Sequence, residues 1–563
     1  MRTSITCLIL LVMATVPTHA QWEYGGKQIG FGQPEVYPCL APDGSGGVFV
    51  GWQGCTDALD SSYVMLNHFD TSGAALFGED GIAVARGPLY NIGEPQIGSD
   101  GLGGCFVLWG EILSGETPMY LQRINYNGEQ VWPENKRLIY RSGYVYSYRG
   151  GLQLLADTSF GAVAVCLFDT GYGGWEILGQ RVDYEGSVLW DSAGIHVLDF
   201  IYNPQRRQPA MPKLCKSGSD FYCAWIDGRD NQNNGDIYLQ RFDISGNIFF
   251  GPGGVPVCVS NDGDGDNFER QSLQIVPDSS RGVVVGWRCD HLYYGKTLKA
   301  QRISSQGNPY WLANGIRLLP YGSGGRGLGL YPIGQRYMAL TTDHTEGHYE
   351  IFDLGGNMQF GGYGSIFGQN LIYASAFQNN ILYFLRRISG QWYYYGSKGD
   401  SSNQEYWPNL PFVHEGVDHG YQVLPDGFGG LYAVLSDYRD WNTDWVILQR
   451  IYPDGYIGGD TTGIYDEKPP LLPKVLSLKA YPNPFNPSVN ISFNMPESGN
   501  AKITIYDDLG RVIDTIKLEN LPSGQQLYTW NYQNSNYKLV SGAYFITVQT
   551  SGYRENCAIT LLK

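Results

Sequence analysis

Asp43-Gly-Ser-Gly-Gly-Val-Phe-Val-Gly-Trp52 returns later in the chain as Asp100-Gly-Leu-Gly-Gly-Cys-Phe-Val-Leu-Trp109. Each copy is a Gly-rich turn feeding an apolar run, the pattern of a tight reversal into a buried strand. Weaker copies occupy Asp157 to Phe168, Ser217 to Trp225, Asp278 to Trp287 and Asp426 to Leu435. A second landmark is a strand ending in a turn at Leu66 to Gly73, Leu121 to Gly128, Gly179 to Gly186, Leu239 to Gly246, Ala300 to Gly307 and Leu448 to Gly455. All of these but Leu66 to Gly73 open on x-Gln-Arg. A large aromatic follows the terminal Gly by four positions, as Phe77, Trp132, Trp190, Phe250 and Trp311, and a Gly-Ile strand comes next, as in Gly81-Ile82, Gly194-Ile195 and Gly315-Ile316.

The repeating unit therefore holds four short strands: a (around Gly-Ile), b, c (ending in Trp) and d (x-Gln-Arg). Degenerate copies of c and d lie at Tyr337 to Thr342 with His348 to Gly356, and at Ile381 to Leu385 with Trp392 to Gly399. Eight copies of about 55 to 60 residues are the size of large four-stranded propeller blades, so the expectation is an all-β chain with a seven- or eight-bladed β-propeller. The number is eight if both degenerate copies complete a blade. Two stacked β-sandwiches are the alternative, disfavoured by the single recurring unit. The 75 Gly and the 14% aromatic and 16% charged residues agree with short strands and frequent turns rather than charged helices.

Successive antiparallel strands reverse direction, so the b–c and d–a turns emerge on one face of the ring and the a–b and c–d loops on the other. The first face carries uniform tight turns. The second carries longer, irregular loops, and variable loops on a rigid scaffold are where binding and catalysis usually reside.

Ahead of the repeat, Met1 to Ala20 has an early Arg2, an apolar run and Thr18-His19-Ala20, which reads as a signal peptide cleaved before Gln21. The propeller is expected over 21–465, the Pro-rich linker over 466–475 and a separate C-terminal domain over 476–563. No segment after cleavage reaches membrane length. The net charge of -16 opposes a nucleic-acid surface. Nine cysteines remain beyond Cys7, an odd number at irregular spacing, which argues for buried thiols rather than a disulfide framework; Cys215 and Cys223, flanking one turn, are the pair best placed to bond.

In the last domain, Ile491-Ser-Phe, Ala501-Lys-Ile-Thr-Ile-Tyr506, Tyr528-Thr-Trp530 and Tyr544-Phe-Ile-Thr-Val548 read as half-buried strands of a small Ig-like β-sandwich. Tyr481-Pro482-Asn483-Pro484-Phe485-Asn486-Pro487, Ile505-Tyr-Asp-Asp-Leu-Gly-Arg511, Ser541-Gly-Ala-Tyr544 and the terminal Leu561-Leu-Lys563 resemble the type A sorting domain of type IX secretion, which is similar to the Ig-like domain of flagellar hook-capping proteins. The resemblance covers about Leu476 to Lys563. It implies export across the outer membrane by the type IX machinery, with the product secreted or attached to the cell surface.

On the loop face, Asn261-Asp262-Gly-Asp264-Gly-Asp266 places carboxylates at alternate positions and suits a hard cation such as Ca²⁺, although Leu273 stands where a complete EF-hand loop needs Glu; a solvated acidic turn is the plainer reading. Asp227-Gly-Arg229-Asp230 recurs as Asp437-Tyr-Arg439-Asp440, a pattern in which Arg can brace a loop against a carboxylate. Asp343-His344-Thr-Glu346-Gly-His348 offers imidazoles and a carboxylate, without the helical spacing of a zinc motif. Tyr144, Tyr172, Trp175, Tyr293, Tyr294 and Trp441, beside Asp230, are suited to stacking on sugar rings; packing that stiffens the loops is the competing reading. No nucleophile elbow or phosphate loop stands out. The expectation is a non-catalytic protein that binds a glycan or protein ligand through this face. The alternatives are a polysaccharide hydrolase or lyase using carboxylates there, and a scaffold with no ligand.

Overall fold

A computed structural model describes Trp22 and residues 26–29, 36–452 and 478–562, apart from short segments of which the longest are 146–150, 203–209, 230–235, 260–265, 323–327, 389–393 and 401–410. The expected signal peptide and Pro-rich linker lie outside the described residues.

Eight antiparallel sheets follow one another along the repeat, so the ring has eight blades. Blades I to VIII begin at the strands starting with Val36, Gln96, Leu152, Ala210, Asp266, Leu328, Asn370 and Val417. Both degenerate copies complete a blade. Blade VI holds Leu328–Ile333, Arg336–Thr342, Gly347–Asp353 and Ser365–Ile366, and blade VII holds Asn370–Gln378, Ile381–Ile388, Tyr394–Asp400 and Pro411–Val413. Within each sheet the order is b, c, d and then the following a, so the Gly-Ile strand is the outer strand of the blade before it. The first strand of every blade neighbours the first strands of both adjacent blades, all the way round from blade VIII back to blade I. These b strands therefore form the wall around the axis.

The c and d strands read as continuous apolar runs because neighbouring blades cover both of their faces. Val48, Phe49, Val50 and Trp52 are all fully buried, as are Cys105 to Trp109. Alternate residues feed opposite seams. Phe49 packs towards blade II with Val107 and Trp109, while Val48, Val50 and Trp52 pack towards blade VIII with Tyr432 and Val434.

Blade VIII is completed from the other end of the chain. Lys27–Ile29 pairs antiparallel with Val446 to Leu448 and supplies its outer strand. Trp22 is fully buried between Phe69 and Tyr432, with ring centroids at 6.2 and 5.8 Å. It occupies the place that Trp132 or Trp190 takes in other blades.

The cysteines do not pair. All nine are free thiols, eight of them buried. Leu214, not Cys215, stands opposite Cys223. The two thiols consequently face different seams, Cys215 packing with blade V and Cys223 with blade III.

The C-terminal domain packs a three-stranded sheet (Leu478–Tyr481, Ser488–Met495, Gly524–Asn531) on a four-stranded one (Val512–Leu521, Gly499–Tyr506, Gly542–Gln549, Arg554–Leu561). Phe485, Val489, Phe493, Ile503, Trp530 and Ile546 lie in the core between them.

Trp22 tests the closure. Trp22→Ala removes a buried indole at the one seam joining chain ends, and should lower stability by about 3 kcal/mol or more in urea unfolding.

Candidate functional site

The two faces of the ring differ in chemistry. On the tight-turn face, the d–a turns of blades III, IV and VI are Asx-type turns: Asp183 Oδ1 accepts the N–H groups of Glu185 and Ser187 at 3.0 and 2.7 Å, Asp243 serves Ser245 and Asn247, and Asp353 serves Gly355 and Asn357. Gly186 closes its turn at φ 91°, and a Cβ there would lie 2.8 Å from the Trp132 ring of the preceding blade. Glycine is required on both counts.

The b–c turn carboxylate and the d-strand arginine form a buried ion pair in five blades. Arg123 binds Asp100 at 2.8 Å, Arg181 binds Asp157 at 2.6 Å, Arg241 binds Asp220 at 2.5 Å, Arg302 binds Asp278 at 2.9 Å and Arg450 binds Asp426 at 2.6 Å. Each guanidinium also donates across the seam to a turn carbonyl of the next blade. Arg123 reaches Tyr184 O at 3.3 Å, Arg181 reaches Ile244 O at 3.3 Å, Arg241 reaches Ser305 O at 2.6 Å, Arg302 reaches Leu354 O at 3.1 Å, and Arg450 reaches Thr71 O of blade I. Trp132, Trp190 and Trp311 donate Nε1–H to those same carbonyls of Tyr184, Ile244 and Leu354.

Blade I departs from the pattern: His68 replaces Arg. Its Nε2 lies 3.0 Å from Asp43 Oδ2, and its ring stacks on Phe49 at 4.2 Å and meets Tyr126 of blade II edge-on at 4.7 Å. Burial pushes the Asp43 carboxyl up, but bonds from His68 and the Ser45 turn outweigh it and hold it below its ordinary value. These turn carboxylates and d-strand side chains are thus engaged within the protein.

The opposite face is formed by the c–d and a–b loops. Tyr172, Asp230, Asp262, Asp264, Tyr293, Tyr294 and Trp441 lie outside the described residues, as do Asp343 to Glu346. Tyr144 belongs to the short strand Tyr144–Val145 and Asp266 begins Asp266–Pro277, both innermost strands. Trp175 is 3% exposed and packs in the seam between blades III and IV, with Trp190 and Trp225. It is core, not an exposed stacking platform. Arg229 stacks its guanidinium on Tyr238, 3.9 Å from the ring centroid. Among the described residues no group of three or more His, Cys, Asp or Glu is arranged to hold a metal ion.

One titratable cluster emerges that sequence reading missed. Glu176 Oε2 lies 3.5 Å from His196 Nδ1, and Asp199 Oδ1 lies 3.8 Å from the same nitrogen. The members come from the d and a strands of blade III, too far apart in sequence for spacing to bring them together. Burial pushes the Glu176 carboxyl up, His196 opposes this and Asp199 adds to it.

In the C-terminal domain the sorting-type motif is tied to the end of the chain. Asn483 donates Nδ2–H to Ala558 O at 2.8 Å and accepts Thr560 N–H at 2.7 Å. Phe485 exchanges backbone bonds with Thr560 and Leu562, and its ring is buried near Trp530 and Tyr532. Pro484 and Pro487 follow cis peptide bonds, Asn486 is exposed, and Pro482 lies outside the described residues. Asp507 binds Arg511 at 2.6 Å, and Tyr544 OH donates to Val540 O at 2.9 Å. A cleft of about 310 Å³ lies between these two motifs.

A family model described as "Secretion system C-terminal sorting domain" matches residues 479–558. Residues 479–558 are a secretion sorting domain. The chain is therefore an exported β-propeller protein, secreted or held at the outer cell surface, and its sorting domain is handled by the type IX machinery. No curated protein sequence matches the chain. Solved structures similar to it include the propeller domain of the trilobed protease from Pyrococcus furiosus (11% identity, 68% of this chain and 97% of that one, TM-score 0.36), the Dos1 propeller (11%, 75% and 94%, 0.43) and the polysaccharide lyase Uly1 (10%, 67% and 91%, 0.38). No helix among the described residues is long and apolar enough to cross a membrane.

Two outcomes follow. A carboxyl whose folded pKa is raised loses stabilising free energy as pH climbs from its unfolded value through its folded one. Glu176→Gln should therefore raise the denaturation midpoint at pH 7, and the gain should shrink when the same titration is run near pH 4. In the sorting domain, Phe485→Ala should cost about 3 kcal/mol or more, read as loss of protease resistance of residues 478–562 while the propeller stays intact.

Proposed function

We propose that this exported propeller is a non-catalytic binding protein that takes a glycan or protein ligand on its c–d and a–b loop face. The observation that carries the reading is the contrast between faces. The tight-turn face engages its turn carbonyls, turn N–H groups and buried carboxylates in bonds within and between blades. The other face projects loops that vary in length and are rich in Tyr, Trp, Asp and Asn, side chains that combine flat apolar surface with hydrogen-bonding capacity. Tyr144, Tyr172, Tyr293, Tyr294, Trp441 and Asp230 are the residues proposed to meet the ligand. Asp262, Asp264 and Asp266 are proposed to hold Ca²⁺, which would fix the a–b loop between blades IV and V.

A glycan array probed with the mature chain, with Ca²⁺ and with chelator, tests this. Retention of a glycan without product release supports the proposal, and loss of binding in an Asp262→Asn, Asp264→Asn variant assigns the cation. Release of shortened oligosaccharides from a bound polysaccharide would replace it with the hydrolase or lyase reading.

A further inference from the structure

The axial wall carries an equivalent position in each blade that is polar in five of them, glutamine in four and lysine in one, with Cys39, Gly329 and Ala374 in blades I, VI and VII. Four residues before the b–c turn Asp, the innermost strands carry Cys39 in blade I, Gln96 in II, Gln153 in III, Gln274 in V and Gln422 in VIII. Blade IV, whose turn opens on Ser217, carries Lys213 at that position. The register is common to all: Gln96 stands opposite Leu108, Gln153 opposite Val165, Lys213 opposite Ala224, Gln274 opposite Gly286 and Gln422 opposite Val434. The four glutamines and the lysine are each partly exposed.

These side chains face forward, to the next blade. The residue two positions on, which shares their side of the strand, packs in the forward seam in each case that can be traced: Ala41 towards blade II, Leu155 towards IV, Cys215 towards V, Val276 towards VI and Leu424 towards I. At the VIII–I seam the contact is explicit. Leu40 of blade I donates its N–H to Gln422 Oε1 at 2.6 Å. That N–H points away from strand c, to the axis. The strand-edge donor is thus met by an amide oxygen from the blade behind.

At the IV–V seam the same register places Ile275 where Leu40 stands, opposite Val285 as Leu40 is opposite Val50. Alternation in an antiparallel pair aims the Ile275 N–H at the axis too. The side chain arriving from blade IV is Lys213, which has donors only and no oxygen to offer. Among the described residues, neither Lys213 nor the side chain of Gln274, next along the wall, has a hydrogen bond or ion pair. By register, a lysine side chain and a backbone N–H are therefore brought to the position where the other seam sets an acceptor against a donor.

We propose that Lys213 and the Ile275 N–H form an anion site on the axial wall between blades IV and V, taking a small oxyanion, a carboxylate or a sulfate. Gln153 and Gln274, flanking Lys213 on the wall, supply amide groups for the rest of such a ligand. Burial pushes the Lys213 ammonium pKa down, in line with a side chain that is only partly exposed. The proposal does not depend on the binding function proposed above.

Lys213→Gln is the natural test variant, since it installs the residue that four other blades use and offers the Ile275 N–H its missing acceptor. Isothermal titration of the mature chain with sodium sulfate and with sodium acetate, against sodium chloride at matched ionic strength, should show one saturable site. In Lys213→Gln the affinity should fall about tenfold or more, and saturation with only one of the two anions distinguishes sulfate from carboxylate. A second readout uses the unmodified chain: acetic anhydride labelling of Lys213, resolved from Lys216 by peptide fragmentation, should slow as the anion saturates. Equal binding by the glutamine variant, or labelling of Lys213 indifferent to both anions, overturns the proposal.

Discussion

The ring depends on a guanidinium held between two oxygens on different blades. In Arg123, Arg181, Arg241, Arg302 and Arg450 the same group pairs with its own blade's turn carboxylate and donates to a turn carbonyl of the next. Burying either charge alone would be costly, and removing one partner from a buried pair typically costs about 3–5 kcal/mol. Distributing that constraint round the ring couples each blade's stability to its neighbour. Arg450 performs the same task across the gap between blade VIII and blade I, so the closing seam is chemically like the internal ones. The glycine-floored turn beneath the aromatic, at Gly186 under Trp132 or Gly73 under Trp22, gives the lock its close approach.

Blade VI shows no such pair among the described residues, and blade VII carries Lys398 at the arginine position. Ile351 stands where other blades have Arg, and Glu350 takes the place of Gln, accepting the N–H groups of Ile351 and Phe360. Their packing rests on Tyr337, Tyr349 and Tyr383 instead. Blade I substitutes Asn67-His68, where Asn67 donates to Gly78 O as Gln180 donates to Asp191 O. The sequence drift is therefore conservative in hydrogen-bond role where it occurs in blade I and a change of mechanism in blade VI. Loops on the other face can vary because none of these bonds passes through them.

Much of the architecture was legible in residue spacing. The Gly-rich b–c turn, the x-Gln-Arg strand and the aromatic four residues beyond its glycine each have a local cause, so each leaves a local mark. The final outer strand was also within reach: Trp22 and Gly26 repeat the spacing of Trp190 and Gly194. It was missed because its partner, Val446 to Leu448, lies at the other end of the repeat. The Asp–Arg pairs join groups on strands separated by a hairpin, and each half carries a plausible local role, so nothing in sequence joins them. Trp175 misled because it sits at a loop boundary, where the strand's buried face begins earlier than composition shows. The loop-face candidates other than Trp175 still rest on residue chemistry, and the axial lysine became visible only once the registers of several b strands could be aligned.

Native-state hydrogen exchange on the mature chain tests the closed ring most directly. If Lys27–Ile29 is the outer strand of blade VIII, bonded as the model of closure requires, its amides should exchange with the protection of Ile447 and Leu448 and lose it together with them in Arg450→Ala. Exchange of Lys27–Ile29 at unprotected rates, with blades I and VIII still slow, would show that the ring does not close through its N-terminal strand.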